Sequence, residues 1–503
     1  MRAAASHVPD SYDGEPARIA LGVGRALLAA HRGEAHQRGS LAPDRTEQVG
    51  KSMLARARRL LQHDVAKTVT TVGSSGWPLR RRARRPAQLV DAACAVDISK
   101  AALRRLSSRA VASAGVPSRV VPLRLASHRL VGAALPDVAA AVRWMLAVQA
   151  QDFAGAKWSV GLRTEGGTDA AVEDALASGG IVRSWPLRGT LHFCAAEDLR
   201  WMLSLGAPRV IAGARARRAA LGIDERVLGR ARELAVEALS GRRALTRAAI
   251  LEAFERGGLA TAQQRGYHLL WHLSQTGTLC FGPTRGKEQT FVLLDEWVKI
   301  SLRLEREQAL GELARRYFAS HGPATARDLA SWAKLSAAEV KTGVAVAGPA
   351  LATLTEGGLR YWMAADAEAM ASAEVEDAGA RGSPRGSRPT TRSSVPVLAL
   401  PGFDEYVLGY RDRDAVVPPR FASRICPGGN GVFMPTIMVD GRAVGTWRRA
   451  TRAKRVELTA IPFTRLTRAA AEGFREAAAA HGRFLGVPVR VRQEPPLREA
   501  EPR

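Results

Sequence analysis

Cysteine is too sparse and too scattered in this sequence for a disulfide framework or a zinc cluster. The four residues (Cys94, Cys194, Cys280 and Cys426) show no C-x-x-C spacing, so they read as reduced, mostly buried thiols of a cytoplasmic protein. None of the ten histidines forms an H-E-x-x-H or comparable ligand set, so no metal and no cofactor is expected. No run of about 18 apolar residues occurs, which argues against a membrane span. The N-terminus lacks a positive-then-apolar leader pattern. Lysine is scarce beside arginine, and acidic residues fall short of basic ones, 48 against 74.

That imbalance gives a formal charge of +26 and an isoelectric point near 11.1. A field of this sign draws polyanions, nucleic acid first among them. Part of the excess is a general use of arginine in place of lysine, which carries no information about a partner. At 503 residues, 46% of them apolar, the chain is globular and too long for one core. Size alone predicts about three domains.

Residues 1–118 carry Arg-rich runs such as Leu79–Arg85 and little periodicity. They read as a disordered extension, with a phosphate-tracking basic arm as the alternative. Over 119–220 a helix opens near Pro136-Asp137, with Val142, Met145, Leu146 and Gln149 on one face. Helices over Ala154–Leu162 and Asp169–Ser178 follow, then two strands, Ile181–Arg188 and Thr190–Cys194, hinged at Gly189. The pattern of helices and a hairpin recurs over 221–303, with a turn at Pro283–Lys287, and over 304–369, with a turn at Gly357-Gly358. Helices closed by a short hairpin make a winged-helix unit, and recurrence at roughly 80–100 residues argues for tandem units. Residues 370–394 are a low-complexity linker. Residues 395–495 alternate as short strands, among them Val432–Met434, with a tight turn at Asp440-Gly441 and one helix over Leu466–Gly482. The expected fold is mainly α with small β-hairpins: three tandem winged-helix motifs plus a C-terminal β-barrel-like domain.

The chemistry-bearing stretch is Val148-Gln149-Ala150-Gln151-Asp152, where the first helical pattern gives out. In a continuous helix, residues two apart point to nearly opposite faces. Gln149 and Gln151 therefore serve one site only if the helix frays there or the backbone turns extended. The alternative is that two polar residues simply close a helix.

This stretch, with Trp185–His192 and Glu197–Trp201, resembles the AlkZ-like winged-helix DNA glycosylases, in the branch that carries Gln-x-Gln. Further matches are Arg316–Phe318 with His321–Thr325, Phe403–Arg413, and Val439–Arg442 running on to Trp447–Arg449. Together they span about residues 120–495, and their order is more specific than any one of them. The resemblance implies three tandem winged helices and a β-rich C-terminal domain. It implies a monofunctional glycosylase that removes alkylated purines, unhooks interstrand crosslinks and leaves an abasic site. Gln149 and Gln151 become the catalytic pair, with Asp152 and His192 as possible supporting residues. The expected partner is damaged double-stranded DNA, bound by a monomer associated with the nucleoid.

Glutamines suit that reaction. An N7-alkylpurine already carries positive charge, so the base departs neutral without an acid. Two amides need only orient a water and face the charge developing at C1′. Glu197 and Asp198 read as helix N-terminal charges, and Asp404 and Glu405 as structural hydrogen-bonding groups. Arg183, Arg188, Arg285 and Lys287 lie on expected hairpins, and Arg448, Arg449, Arg452, Lys454 and Arg455 form a second basic cluster. Both sets are candidates for phosphate contact. The alternative function is a non-catalytic winged-helix DNA-binding protein or transcriptional regulator, which would need sequence-specific recognition and commonly dimer symmetry.

Overall fold

Helices begin where a side chain can satisfy their first free N–H groups. Asp137 accepts from the Ala140 amide at 2.7 Å and opens Val138–Met145. Thr168 opens Asp169–Ser178, which Gly179 closes in the left-handed region at φ 76°. Asp224, Thr246, Thr325, Ser336 and Thr467 start five later helices in the same way. The computed structural model describes residues 118–369, 372, 397–452 and 455–496. The expected N-terminal extension up to residue 117, almost all of the 370–394 linker, and Lys454 lie outside the described residues.

Six strands form the first sheet: β1 (Val148–Gln149), β2 (Ile181–Leu187), β3 (Thr190–Ala195), β4 (Leu245–Thr246), β5 (Leu279–Arg285) and β6 (Glu288–Leu293), in the order β1-β3-β2-β5-β6-β4. The β2–β3 turn runs through Arg188 (φ 55°) and Gly189 (φ 71°), two positive values that suit a tight hairpin. The first two hairpins are not isolated wings as the sequence suggests. They join where Arg183 pairs with Phe281, and there the rings of Trp185 and Phe281 pack at 5.2 Å. Cross-strand aromatic contact of this kind makes a shared sheet more favourable than two solvated wings. The third hairpin, β7 (Leu351–Glu356) with β8 (Leu359–Ala364), stays a separate two-stranded sheet.

The C-terminal strands β9 (Leu398–Leu400), β10 (Thr436–Val439), β11 (Arg442–Arg452), β12 (Arg455–Pro462) and β13 (Val489–Gln493) form a second large sheet in the order β13-β12-β11-β10-β9. Its outer strands β13 and β9 do not pair with each other among the described residues, so it is an open sheet. Helix Arg468–Leu485 packs across it through Phe474, Ala478 and Phe484. Val432–Met434, expected as a strand, is irregular: the Met434 amide bonds the Ile425 carbonyl instead of a neighbouring strand.

The cores cross the sequence divisions. Val148, Ala150, Trp158 and Phe193 share one apolar cluster with Ile437, Trp447 and Phe474 of the C-terminal sheet. Leu146 and Trp201 share another with Tyr317, Trp332 and Tyr410. A buried ion pair fastens the first of these junctions. Arg163 and Asp404 both have fully buried side chains and meet through two hydrogen bonds of 3.0 and 2.9 Å. Ser159 Oγ (2.7 Å) and the Tyr406 amide (3.0 Å) complete the carboxylate's shell. Asp404 is thus a structural group, as its sequence setting indicates. Arg163→Met should lower folding stability by about 3–5 kcal/mol, since it strands a buried charge. A denaturation midpoint unchanged from wild type would contradict this.

Candidate active site

The helix expected to carry Gln149 beside Val142, Met145 and Leu146 ends at Met145. Leu146 sits at φ 66°, ψ −54°, and the Ala147 amide donates back to the Met145 carbonyl at 2.7 Å. This is the γ-turn of positive φ, the rarer and more strained hand. Such backbone costs on the order of 1–3 kcal/mol. Complete burial of Leu146 and Ala147 in one apolar core offsets it. Beyond the turn the chain is extended as β1, paired with β3 through Val148–Phe193 and Gln149–His192. Gln151 lies just past β1, and both glutamine side chains reach the β2–β3 hairpin, so they no longer oppose one another.

Several backbone groups around them are held by hydrogen bonds. The Gln149 amide donates to Glu405 Oε1 at 3.0 Å, and the Ala150 amide to the Leu191 carbonyl at 2.7 Å. Arg183 donates to the Ala150 carbonyl through Nε (3.2 Å) and Nη2 (2.8 Å). The side chains are anchored on the β2–β3 hairpin. Gln149 Oε1 accepts from Arg188 Nη2 at 2.8 Å, and Gln151 Oε1 from the Leu191 amide at 3.1 Å. Gln149 is 7% exposed, whereas Gln151 and Asp152 are open to solvent.

His192 is fully buried. Its Nδ1 lies 2.8 Å from the Thr190 carbonyl, which can only accept, so Nδ1 carries the proton. Nε2 then accepts from Arg188 Nη2 at 3.0 Å. Burial first, and the Arg188 charge second, push its pKa down from 6.5 to about 3. His192 is therefore a neutral support for Arg188, with no free nitrogen for the site. Glu405 is equally buried. Burial alone would raise its pKa, but the His321 ring, whose Nε2 lies 3.7 Å from Oε2, and the positive field of Arg188 outweigh it and bring the carboxyl to about 2. Its Oε2 accepts from the Trp332 indole at 2.8 Å. His321 is itself depressed by burial, so the pair stands as a carboxylate beside a neutral ring.

Arg183 and Arg188 were expected on a DNA-facing hairpin and instead turn inward. Arg183 also binds Gln289 at 3.0 Å and lies over the rings of Phe153 and Phe281. Burial lowers its guanidinium to about 10. Arg285 and Lys287 remain exposed at the β5–β6 tip. Arg448 and Arg452 are exposed on one face of β11, whereas Arg449 is half-buried. With Glu457, Thr459, Arg492 and Glu494, Arg448 and Arg452 line a groove of about 430 Å³. Arg448 is paired there with Glu494.

Asp152 occupies the N-cap position of Phe153–Gly161 but makes no side-chain cap bond. Its carboxylate folds over Gly155, where an added Cβ would sit 2.6 Å from Oδ2. Glu197 pairs with Arg143 at 2.9 Å, and Asp198 binds Arg316 at 2.7 Å and the Trp201 indole at 2.9 Å. Neither is a free helix-end charge. Sequence reasoning missed Trp332 and the direct hold of Glu405 on Gln149, because no spacing links residues so distant along the chain. No group of three or more His, Cys, Asp or Glu suited to a metal occurs among the described residues. Nor is any helix among them long and apolar enough to cross a membrane.

Comparison with known proteins gives the site a context. The family model "DNA glycosylase AlkZ-like" matches residues 142–484. An "Interstrand DNA cross-link repair glycosylase" of Streptomyces sahachiroi is 25% identical over 372 residues, 71% of this chain and 94% of that protein. The solved structure of the Streptomyces sahachiroi DNA glycosylase AlkZ matches with a TM-score of 0.59 at 24% identity. That match covers 74% of this chain and 98% of the other, and at this identity it speaks for the fold.

The His192 assignment predicts a pH effect. Between 6.5 and about 3 the unfolded chain takes up a proton that the folded chain refuses. The stability His192 confers is complete above pH 6.5 and is lost as pH falls toward 3. In chemical denaturation, His192→Asn should flatten the pH dependence across that window. Equal slopes for variant and wild type would contradict a neutral, buried ring.

Proposed function

The chain belongs to the DNA glycosylase AlkZ-like family, and from that premise we propose that it hydrolyses the N-glycosidic bond of N7-alkylated purines in duplex DNA. The observation that carries this reading is a pair of neutral amides anchored on one hairpin, with the buried acid and the buried histidine behind them both engaged. Glu405 is buried and spent on Gln149 and Trp332. His192 is neutral and spent on Thr190 and Arg188. A normal purine needs its leaving base protonated, and neither of these buried groups is free to do that. A base already cationic leaves without help. What remains is to place a water opposite it and to face the developing oxocarbenium charge with fixed dipoles. Asp152, exposed one residue beyond Gln151, is the carboxylate available to take the water's proton.

The similar Streptomyces protein is named for interstrand crosslink repair, and we extend the proposal to crosslinked N7-alkylpurines. A mostly exposed Gln151 and Asp152 suit a bulky lesion better than a closed pocket would. The three helix–hairpin groups are read as tandem winged helices, with Arg285 and Lys287 at a wing tip and Arg448 and Arg452 on the C-terminal sheet as phosphate contacts. Arg449, half-buried, is a weaker candidate. The protein is read as acting as a monomer.

Two outcomes are expected. Gln149→Ala with Gln151→Ala should lower single-turnover release of N7-methylguanine by at least about 10²–10³-fold while the duplex is still bound at saturating protein. Undiminished release would remove the glutamines from the mechanism. Arg285→Ala with Lys287→Ala should reduce the slope of log affinity against log salt by roughly 1.8. An unchanged slope would place the phosphates elsewhere.

A further inference from the structure

We propose that Arg188 is a positioning residue that gives the two glutamines unequal roles, holding Gln149 as a hydrogen-bond donor to the DNA and leaving Gln151 as the acceptor for water. The proposal rests on the glycosylase reading above.

An arginine side chain has only donors. The Gln149 atom 2.8 Å from Arg188 Nη2 must therefore be the carbonyl oxygen, and the opposite amide orientation would set N–H against N–H. The Leu191 amide likewise dictates that Gln151 presents Oε1 to it at 3.1 Å. Both NH₂ groups are left without a protein acceptor among the described residues. The two oxygens are not equivalent, however. Gln149 accepts from a cation, and a charge-assisted bond polarises the whole amide. Its NH₂ becomes a stronger donor and its second lone pair a weaker acceptor. Gln151 accepts only from a neutral amide and keeps a usable lone pair for a water proton.

Arg188 is fixed from several directions. Its Nη1 donates to the Trp332 carbonyl at 2.6 Å, Nη2 is shared between Gln149 and His192, and the guanidinium lies 5.6 Å from the centre of the Trp332 ring. All three of its hydrogen-bond partners are neutral. A largely buried cation bonded directly only to neutral acceptors is costly. The field of the Glu405 carboxylate offsets part of that cost without touching the guanidinium, and the Gln149 amide is where the cation makes direct contact with the site. The outward NH₂ then fits a phosphate oxygen beside the lesion, a group that a polarised donor anchors well.

The test is single-turnover release of N7-methylguanine from duplex by wild type, Arg188→Met, Gln149→Ala, the double variant of these two, Gln149→Glu and Gln151→Glu. Melting curves identify any variant that fails to fold. Gln149→Glu keeps an acceptor for Arg188 but has no donor, so it should lose about 10²-fold or more, as Gln149→Ala does. Gln151→Glu keeps its acceptor and should stay within about tenfold of wild type. Arg188→Met should slow wild type yet slow Gln149→Ala by less than about threefold, the mark of one shared effect. Equal losses for the two glutamate variants, or additive losses for Arg188→Met and Gln149→Ala, would overturn the proposal. No release by wild type would overturn the substrate reading instead. Selective ¹⁵N-glutamine spectra then judge the positioning by itself. An ordered Gln149 side-chain amide that becomes mobile in Arg188→Met is expected, and an amide equally mobile in both proteins would refute it.

Discussion

The carboxylate of Glu405 holds three distant parts of the chain in one place. One oxygen receives the backbone amide of Gln149, and the other receives the indole of Trp332 on helix Ala326–Ala333. Glu405 itself opens a short helix, Glu405–Leu408, whose N-cap, Asp404, is fixed to Arg163. A carboxylate that made none of these bonds would be prohibitively costly inside a protein. With them, it sets where the strand bearing the glutamines can lie. The γ-turn at Leu146 follows from the same demand. A helix continuing past Met145 would carry Gln149 away from Glu405 and turn Gln151 to the other side, so the chain accepts local strain to become extended there.

Much of the architecture was legible from local signals. Asp137, Thr246 and Thr325 mark helix starts by side-chain chemistry, Gly179 marks a stop, and Asp440-Gly441 marks a hairpin, all within reach of a few residues. What escaped depended on contacts far apart in sequence. The union of the first two hairpins turns on a single pairing of Arg183 with Phe281, about a hundred residues apart, which no periodicity announces. The strand expected at Val432–Met434 failed because apolar alternation also suits a loop whose amide finds a carbonyl elsewhere.

The candidate site was legible in position but not in orientation. Gln149 and Gln151 stand out as polar residues where an apolar pattern ends, yet a helical reading sets them on opposite sides. Arg183 and Arg188 look like wing cations because arginine on a hairpin usually faces solvent. Here the aromatic rings of Phe153, Phe281 and Trp332 offer their guanidinium groups a favourable interior face. The carbonyls of Ala150 and Trp332 take up their donors. The same side chains that would have bound phosphate shape the site from behind. Arg285, Lys287 and Arg452 stay exposed, which is why the phosphate contacts are proposed there.

A site built from two anchored amides, with its histidine neutral and its nearest buried carboxylate fully engaged, is suited to a leaving group that brings its own charge. The most direct measurement compares single-turnover base release from two duplexes that differ at one position, N7-methylguanine in one and neutral hypoxanthine in the other. Release of the cationic base with the neutral base left in place is the predicted result. Comparable rates for both would contradict the account, because they would require an acid that this arrangement of Gln149, Gln151, His192 and Glu405 does not supply.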